Sequence, residues 1–165
     1  RTKVFVGNAF SHGITKRIAN EDLSSFDYIF CWLGNTDLLV SIIKLIEDKM
    51  NLEHDVSEVG VQIILLVEDG IRFYSSILPN LYKFVLKQSQ EFSTEALNAH
   101  QRTLRMRGRP KIVLARTYDE AIGIYEKYKN NILGVITDVR FPRVERGEKD
   151  ALAGIKLCAD RKSVV

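Results

Sequence analysis

The chain has 165 residues, which is enough for one hydrophobic core, and this length does not by itself indicate a second domain. Its composition, 45% hydrophobic and 27% charged, is typical of a soluble globular protein. The net charge of +3 is too small to predict a nucleic-acid or membrane partner. No apolar run reaches the roughly 18–20 residues that span a bilayer. No secretion signal opens the chain, so we expect a cytoplasmic protein.

The first part of the chain is predicted to contain two strands and two helices. Residues 3–6 and the aromatic run 28–33 have the composition of buried strands, and residues 14–20 are typical of a short helix. In residues 37–50 the apolar side chains recur at helical spacing, which predicts an amphipathic helix. The acidic stretch 51–60 has no periodicity and is predicted to be a linker.

A strand and a long helix are predicted next. Residues 61–67 form a continuous apolar run, the pattern of a strand buried on both faces. The helical pattern of residues 76–107 covers about thirty residues, which is long for a globular helix. Ser75 or Ser76 is expected to cap this helix, with Pro79 in its first turn.

Strands and helices alternate through the rest of the chain. Residues 111–115 are predicted to be a strand and residues 118–128 a helix that starts with a capping box of Thr117 and Glu120. A second buried strand is expected at 132–138, then a charged loop and a helix that begins at residue 151. This alternation predicts an α/β fold with a parallel sheet.

Acidic residues stand at the ends of both buried strands. Glu68 and Asp69 follow the first strand, and Asp138 ends the second. Ligands of parallel α/β sheets gather at the carboxyl ends of the strands, so neighbouring strands would bring the three carboxylates together. Such a cluster suits a hard cation and offers one carboxylate as a phosphate acceptor. The alternative is that these are ordinary solvated acids at the ends of strands.

The spacing of these residues resembles that of a receiver domain of two-component response regulators. Pro142 stands four residues beyond Asp138, and a helix is predicted to begin around Gly154. The resemblance implies a flavodoxin-like, doubly wound parallel sheet. It also implies that Glu68 and Asp69, together with Asp138, hold Mg²⁺. Asp138 would then be the phosphoacceptor, supplied by a histidine kinase or another phosphodonor.

The amino-terminal part resembles the last strand and helix of a receiver, with two departures. Cys31 stands where receivers carry the Lys that pairs with the phosphoryl group, and Trp32 stands where Pro is usual. We therefore interpret residues 1–50 as the second half of one receiver-like unit and 61–165 as the front of another. Phosphotransfer by the first unit is not expected.

A closer resemblance covers nearly the whole chain. The stretches WLGNTDLLVSIIKLIEDKMN and VGVQIILLVEDGIRFYSSILPNLYKFVL, with EALNAHQRTLRMRGRPKIVLARTYDEAI, are similar to the tandem receiver-like region that precedes phosphoenolpyruvate synthase or pyruvate,phosphate dikinase-like regions in some bacterial proteins. The resemblance implies that the chain is a piece of such a protein and contacts its dikinase-like domains. ATP and pyruvate would belong to those domains. No catalytic activity is expected from the stretch itself.

Two questions of architecture and function stay open at this stage. Residues 28–33 are expected either to join the sheet of residues 132–138, which closes a circularly permuted receiver, or to form a half-domain that needs missing sequence or a swapped partner. The functional alternatives are a phosphorylated regulatory module and a degenerate receiver that serves as a structural or dimerisation scaffold, with its contacts on the long helix.

Two smaller groups of residues, one basic and one of cysteines, also stand out in the sequence. The basic cluster between residues 102 and 116 is interpreted as a solvated helix end, with an anion or nucleic-acid contact as the alternative. Cys31 and Cys158 lie in apolar runs and are predicted to be reduced core thiols.

Overall fold

A computed structural model describes residues 2–8, 25–93, 108–145 and 147–159, with only the backbone of residues 92–93. It shows the expected α/β class, with parallel strands and packed helices. The strands are β1 (Val4–Asn8), β2 (Tyr28–Trp32), β3 (Ile63–Val67), β4 (Lys111–Ala115), β5 (Ile132–Thr137), β6 (Phe141–Pro142) and β7 (Lys149–Asp150). The helices are α1 (Asp37–Val59), α2 (Ile71–Ser93), α3 (Tyr118–Tyr128) and α4 (Ala153–Ala159). The predicted helix at residues 14–20 lies outside the described residues.

The central sheet has three parallel strands in the order β4–β3–β5. Every residue of β4 is buried, and four of the five residues of β3 are. A strand covered on both faces needs apolar side chains in both directions, which is why IILLV and KIVLA do not alternate. The predicted parallel sheet is confirmed for its three strands. The predicted burial of the third strand is wrong, because β5 is an edge strand whose Leu133 and Ile136 are 53% and 42% exposed.

The amino-terminal strands form a separate parallel pair, β1 with β2. This pair packs on α2 through polar contacts as well as apolar ones. The Tyr74 hydroxyl donates to the carbonyl of Ile29, and the Cys31 amide donates to the Ser75 hydroxyl at 2.9 Å. Tyr28 and Phe30 join a core cluster with side chains of α1, α2, β3 and β4, so the two parts of the chain share hydrophobic core.

The prediction of one closed, permuted sheet is wrong for this structure, because neither β1 nor β2 is hydrogen-bonded into the sheet that contains β5. The predicted linker is also wrong, since α1 runs through residues 51–59 to a left-handed C-cap at Gly60 (φ 70°). An extended linker of ten residues could span roughly 33 Å, whereas residues in a helix advance only about 1.5 Å each. The helical segment therefore bridges a much shorter distance than an extended linker could. Moreover, α1 is anchored to β4, the sheet edge opposite β5, through Asp48.

Asp48 forms a buried charged cluster that the sequence did not reveal. Its side chain is 0% exposed and accepts from Arg109 Nη2 at 2.6 Å, the Tyr82 hydroxyl at 3.0 Å and the Ile112 amide at 3.1 Å. Lys111 Nζ lies 2.7 Å from Asp55 Oδ2. Arg109 and Lys111, interpreted as solvated, are therefore buried in an ion-pair network that joins α1 to β4.

The long helix differs from its prediction at its start. It begins at Ile71, so Pro79 lies inside it and not in its first turn. Ser75 and Ser76 do not cap it, because their hydroxyls donate back to the carbonyls of Ile71 (2.6 Å) and Phe73 (2.7 Å). The predicted continuation through residues 94–107 lies outside the described residues.

The later elements follow their predictions closely. The α3 helix has its predicted bounds, and Thr117 caps it as predicted, because its Oγ1 accepts from the Glu120 amide at 3.2 Å. The reciprocal half of the capping box differs, since the Glu120 carboxylate accepts from the Arg116 amide at 2.8 Å and not from that of Thr117. The charged loop contains the small antiparallel pair β6–β7. Cys158 is exposed, which contradicts its predicted burial, because α4 turns Ala153, Gly154 and Leu157 inward instead. Cys31 is half-buried. Within the described ranges, no helix is both long and apolar enough to cross a membrane.

Candidate metal centre

The carboxyl edge of the central sheet carries the three predicted acids. Glu68 directly follows β3, and its amide donates to the Ala115 carbonyl of β4 at 3.0 Å. Asp138 directly follows β5, and its amide donates to the Val67 carbonyl of β3 at 2.9 Å. The ladder of the sheet thus continues one residue past the strands and fixes the backbone of both acids.

The three carboxylates meet as the sequence predicted. One oxygen from each of Glu68, Asp69 and Asp138 lies within 4.8 Å of the others. Glu68 is 7% exposed, and Asp138 is more exposed than Glu68. Backbone amides orient two of the groups, because Gly70 donates to Glu68 Oε1 at 2.9 Å and Val139 donates to Asp138 Oδ1 at 2.6 Å.

The proximity of like charges perturbs Glu68. Burial raises the pKa of this carboxyl, and the negative charges of Asp138 and Asp69 raise it further. The Gly70 amide and the Lys149 ammonium act in the opposite direction but do not cancel the rise. The protein therefore holds Glu68 where its negative charge is unfavourable, and a cation among the three carboxylates would relieve that cost.

The two oxygens of Asp69 have different surroundings. Oδ2 lies 2.6 Å from Lys149 Nζ on β7. Oδ1 is buried and, among the described residues, has no hydrogen-bond partner. A buried acceptor without a partner costs free energy, about 1–3 kcal/mol in typical cases. A metal ligated by Oδ1 would remove that cost.

The donor set fits a hard cation. Mg²⁺ prefers oxygen ligands, commonly one or two carboxylates with water or phosphate oxygens completing an octahedron. Three carboxylates, one of them with an unpartnered buried oxygen, match that preference, and no sulfur or imidazole ligand is in the cluster. The residues present therefore fit the Mg²⁺ that the receiver resemblance implies.

A cleft of about 470 Å³ opens beside Asp69. Both parts of the chain line it, including Ile29 of β2, Tyr74 of α2, Arg116, Pro142 and Lys149. Arg116 Nη2 lies 3.9 Å from Glu145 Oε1. Of the three acids, Asp69 is the one that lines the cleft, together with the cationic side chains of Arg116 and Lys149.

The structure also locates the other residues of the predicted site. Pro142 forms part of β6 and lines the cleft. Cys31 and Trp32 lie on β2, in the separate two-stranded sheet. Gly154 packs against the backbone of the site, because its amide donates to the Val139 carbonyl at 3.1 Å. An added Cβ at this position would lie 2.2 Å from the Asp138 carbonyl oxygen, so the contact is close.

Sequence reasoning missed Lys149. It stands in a run of charged residues with nothing local to distinguish it, and only the β6–β7 pairing brings it to Asp69. Asp48 did carry a signal, because it continues the spacing of the buried face of α1 between Leu45 and Leu52.

No protein-family model, curated protein or solved structure matches this chain.

Proposed function

We propose that this chain is a receiver-like regulatory module in which Glu68, Asp69 and Asp138 hold Mg²⁺ and Asp138 accepts a phosphoryl group. The observation that carries the proposal is the convergence of three carboxylates at the carboxyl edge of β3 and β5, where one buried oxygen of Asp69 has no hydrogen-bond partner in the described part of the chain. The carboxyl edge of a parallel sheet is where α/β proteins place their ligand sites.

The topology supports the receiver-like part of the proposal. The order β4–β3–β5, with all strands parallel, is the 2-1-3 arrangement with which a receiver sheet begins. Helices α2 and α3 form the two connections. The likeness extends to these three strands only, because β1 and β2 form a separate pair.

The residues divide the proposed work between them. The Val139 amide holds Asp138 Oδ1, which leaves the second oxygen of Asp138 to attack the phosphorus of a phosphohistidine donor. An oxygen–phosphorus bond then forms while the donor's nitrogen–phosphorus bond breaks, and the imidazole keeps the electron pair and takes up a proton. When bound, Mg²⁺ neutralises charge on the phosphoryl oxygens.

Beryllofluoride, a mimic of a phosphoryl group, tests the proposal directly. With Mg²⁺, we expect ¹⁹F NMR to show bound fluoroberyllate in the wild type and none after Asp138→Ala. Asp119→Ala is the matched control, since it removes a carboxylate of α3 that pairs with Arg143 on the surface. Absence of bound fluoroberyllate from a folded wild-type protein would reject phosphoryl acceptance.

A second candidate, a scaffold without phosphotransfer, has its own supporting observation. Leu39, Ile43 and Met50 of α1 are 47%, 62% and 75% exposed, and Phe84 of α2 is 63% exposed. Single exposed apolar side chains are ordinary, but Leu39, Ile43 and Met50 follow one another at spacings of four and seven residues and therefore lie on one face of α1. A continuous apolar stripe of this kind is typical of a surface that binds another protein. A protein that dimerises in sedimentation velocity, loses the dimer after Ile43→Asp and binds no fluoroberyllate would support the scaffold.

The proposed parent is a phosphoenolpyruvate synthase-like protein. In that setting the module would contact dikinase-like domains that use ATP and pyruvate, and a histidine kinase or another phosphodonor would supply the phosphoryl group. The support for this part is the sequence resemblance alone.

A further inference from the structure

We propose that Lys149 is a tethered counter-cation that weakens binding of a divalent metal at the acidic cluster and lets the metal-loaded cluster accept a phosphoryl-like anion. The inference rests on the proposed function and adds a residue to it. Lys149 Nζ lies 2.6 Å from Asp69 Oδ2, a distance typical of a charge-assisted hydrogen bond. Lys149 is 44% exposed, so it reaches the cluster from solvent without being part of the core.

The geometry leaves room for Lys149 and a metal at the same time. Lys149 uses only Oδ2 of Asp69, whereas Oδ1 is the buried oxygen without a partner. A metal bound to Oδ1 and to the carboxylates of Glu68 and Asp138 would therefore share Asp69 with the ammonium group of Lys149. Two cations that share one carboxylate repel each other, so Lys149 lowers the affinity of the cluster for the metal.

Charge balance explains why such a cation would be useful. Three carboxylates carry more negative charge than one divalent ion neutralises, and the metal-loaded cluster would repel an incoming phosphoryl group. Lys149 supplies the remaining positive charge, next to the cleft of about 470 Å³ that it lines. A compact ammonium suits this task because its three N–H donors can contact Asp69 and an anion together.

Removing the charge of Lys149 should strengthen metal binding and weaken anion binding. These opposite changes distinguish a counter-cation from a residue with a purely structural role. Lys149→Met keeps the length of the side chain and removes its charge. We expect Mn²⁺, followed by the EPR signal of the free ion, to bind on the order of tenfold more tightly to this variant at low salt. Fluoroberyllate at saturating Mg²⁺, followed by ¹⁹F NMR, should bind at least several-fold more weakly. Lys149→Arg should restore both affinities towards wild-type values.

Lys156→Met is the matched control. It removes a positive charge from the same region, where Lys156 Nζ lies 2.5 Å from Asp150 Oδ2, outside the acidic cluster. This control should leave both affinities unchanged. Circular dichroism of each variant checks the fold, and no loss is expected at an exposed side chain.

The other results overturn the inference in distinguishable ways. If Lys149→Met weakens both ligands, or changes neither, Lys149 is not a counter-cation, while the metal site of the proposed function stands. If the wild type binds Mn²⁺ with an affinity that Glu68→Gln and Asp138→Asn do not reduce, the proposed function fails as well.

Discussion

Replacing Gly154 with alanine should disturb the candidate metal centre through the backbone. A Cβ at this position would lie 2.2 Å from the carbonyl oxygen of Asp138 and 3.1 Å from the Cα of Val139. An ordinary contact between a carbon and an oxygen is about 3.3 Å, so α4 or Asp138 must move by roughly 1 Å. Both atoms belong to the main chain, so no side-chain rotation relieves the clash.

The magnitude follows from two opposing terms. Overpacking of this kind costs about 1–3 kcal/mol. Alanine in place of a helical glycine normally gains about 0.5–1 kcal/mol. Gly123 is the matched control because it lies in α3 and an added Cβ there meets nothing within 4 Å. The gain from alanine applies to both variants and cancels between them, so we expect Gly123→Ala to stabilise the protein and Gly154→Ala to fall below it by about 1–3 kcal/mol.

Urea unfolding followed by circular dichroism measures this difference. Mn²⁺ binding supplies a second readout, since a displaced Asp138 should bind the metal more weakly in Gly154→Ala but not in Gly123→Ala. Equal stability of the two variants would show that α4 is not held against Asp138 as described, and the account of how the fold positions this carboxylate would then be wrong.

Two further predictions concern buried carboxyl groups. Asp48→Ala leaves Arg109 buried without its partner, so thermal and urea unfolding should show that the free energy of unfolding falls by about 3–5 kcal/mol. The control Asp119→Ala, on the surface, should lower it by less than about 1 kcal/mol. Equal losses in the two variants would contradict the buried network. Burial and neighbouring acids raise the pKa of Glu68 in the folded protein above its value in the unfolded chain. In EDTA, the contribution of Glu68 to stability is therefore greatest at low pH, and it is lost as the pH rises from the pKa of the unfolded state through the raised pKa of the folded state. Glu68→Gln should flatten that part of the stability–pH curve and stabilise the metal-free protein at neutral pH, and an unchanged slope would contradict the raised pKa.

Much of the local structure was predictable because its causes are local. The continuous apolar runs of β3 and β4 and the capping box of α3 contain their own signals, and the structure places these elements at or near the predicted bounds. The site acids were predictable for a related reason. A residue directly after a strand of a parallel sheet must emerge at the carboxyl edge, so Glu68 and Asp138 had to lie at the same edge once β3 and β5 paired.

Helix boundaries were less predictable where tertiary contacts outweigh local preference. Residues 51–59 have no clear periodicity, yet Leu52 packs beside Ile63 and Val113, and Asp55 pairs with Lys111. These contacts extend α1 by more than two turns. The start of α2 was predicted incorrectly because Ser75 does not cap this helix. Its hydroxyl instead accepts a hydrogen bond from the Cys31 amide of β2.

The amino-acid sequence by itself determined the α/β class, the strand that carries Glu68 and the strand that carries Asp138. Only the tertiary structure decided that β2 packs on α2 while β1 and β2 stay out of the central sheet, that Asp48 and Arg109 meet in the core, and that Lys149 reaches Asp69. The physical reason is that hydrophobic periodicity reports which face of an element is buried. It does not report which distant charge will neutralise a carboxylate, because that depends on how the elements pack in three dimensions.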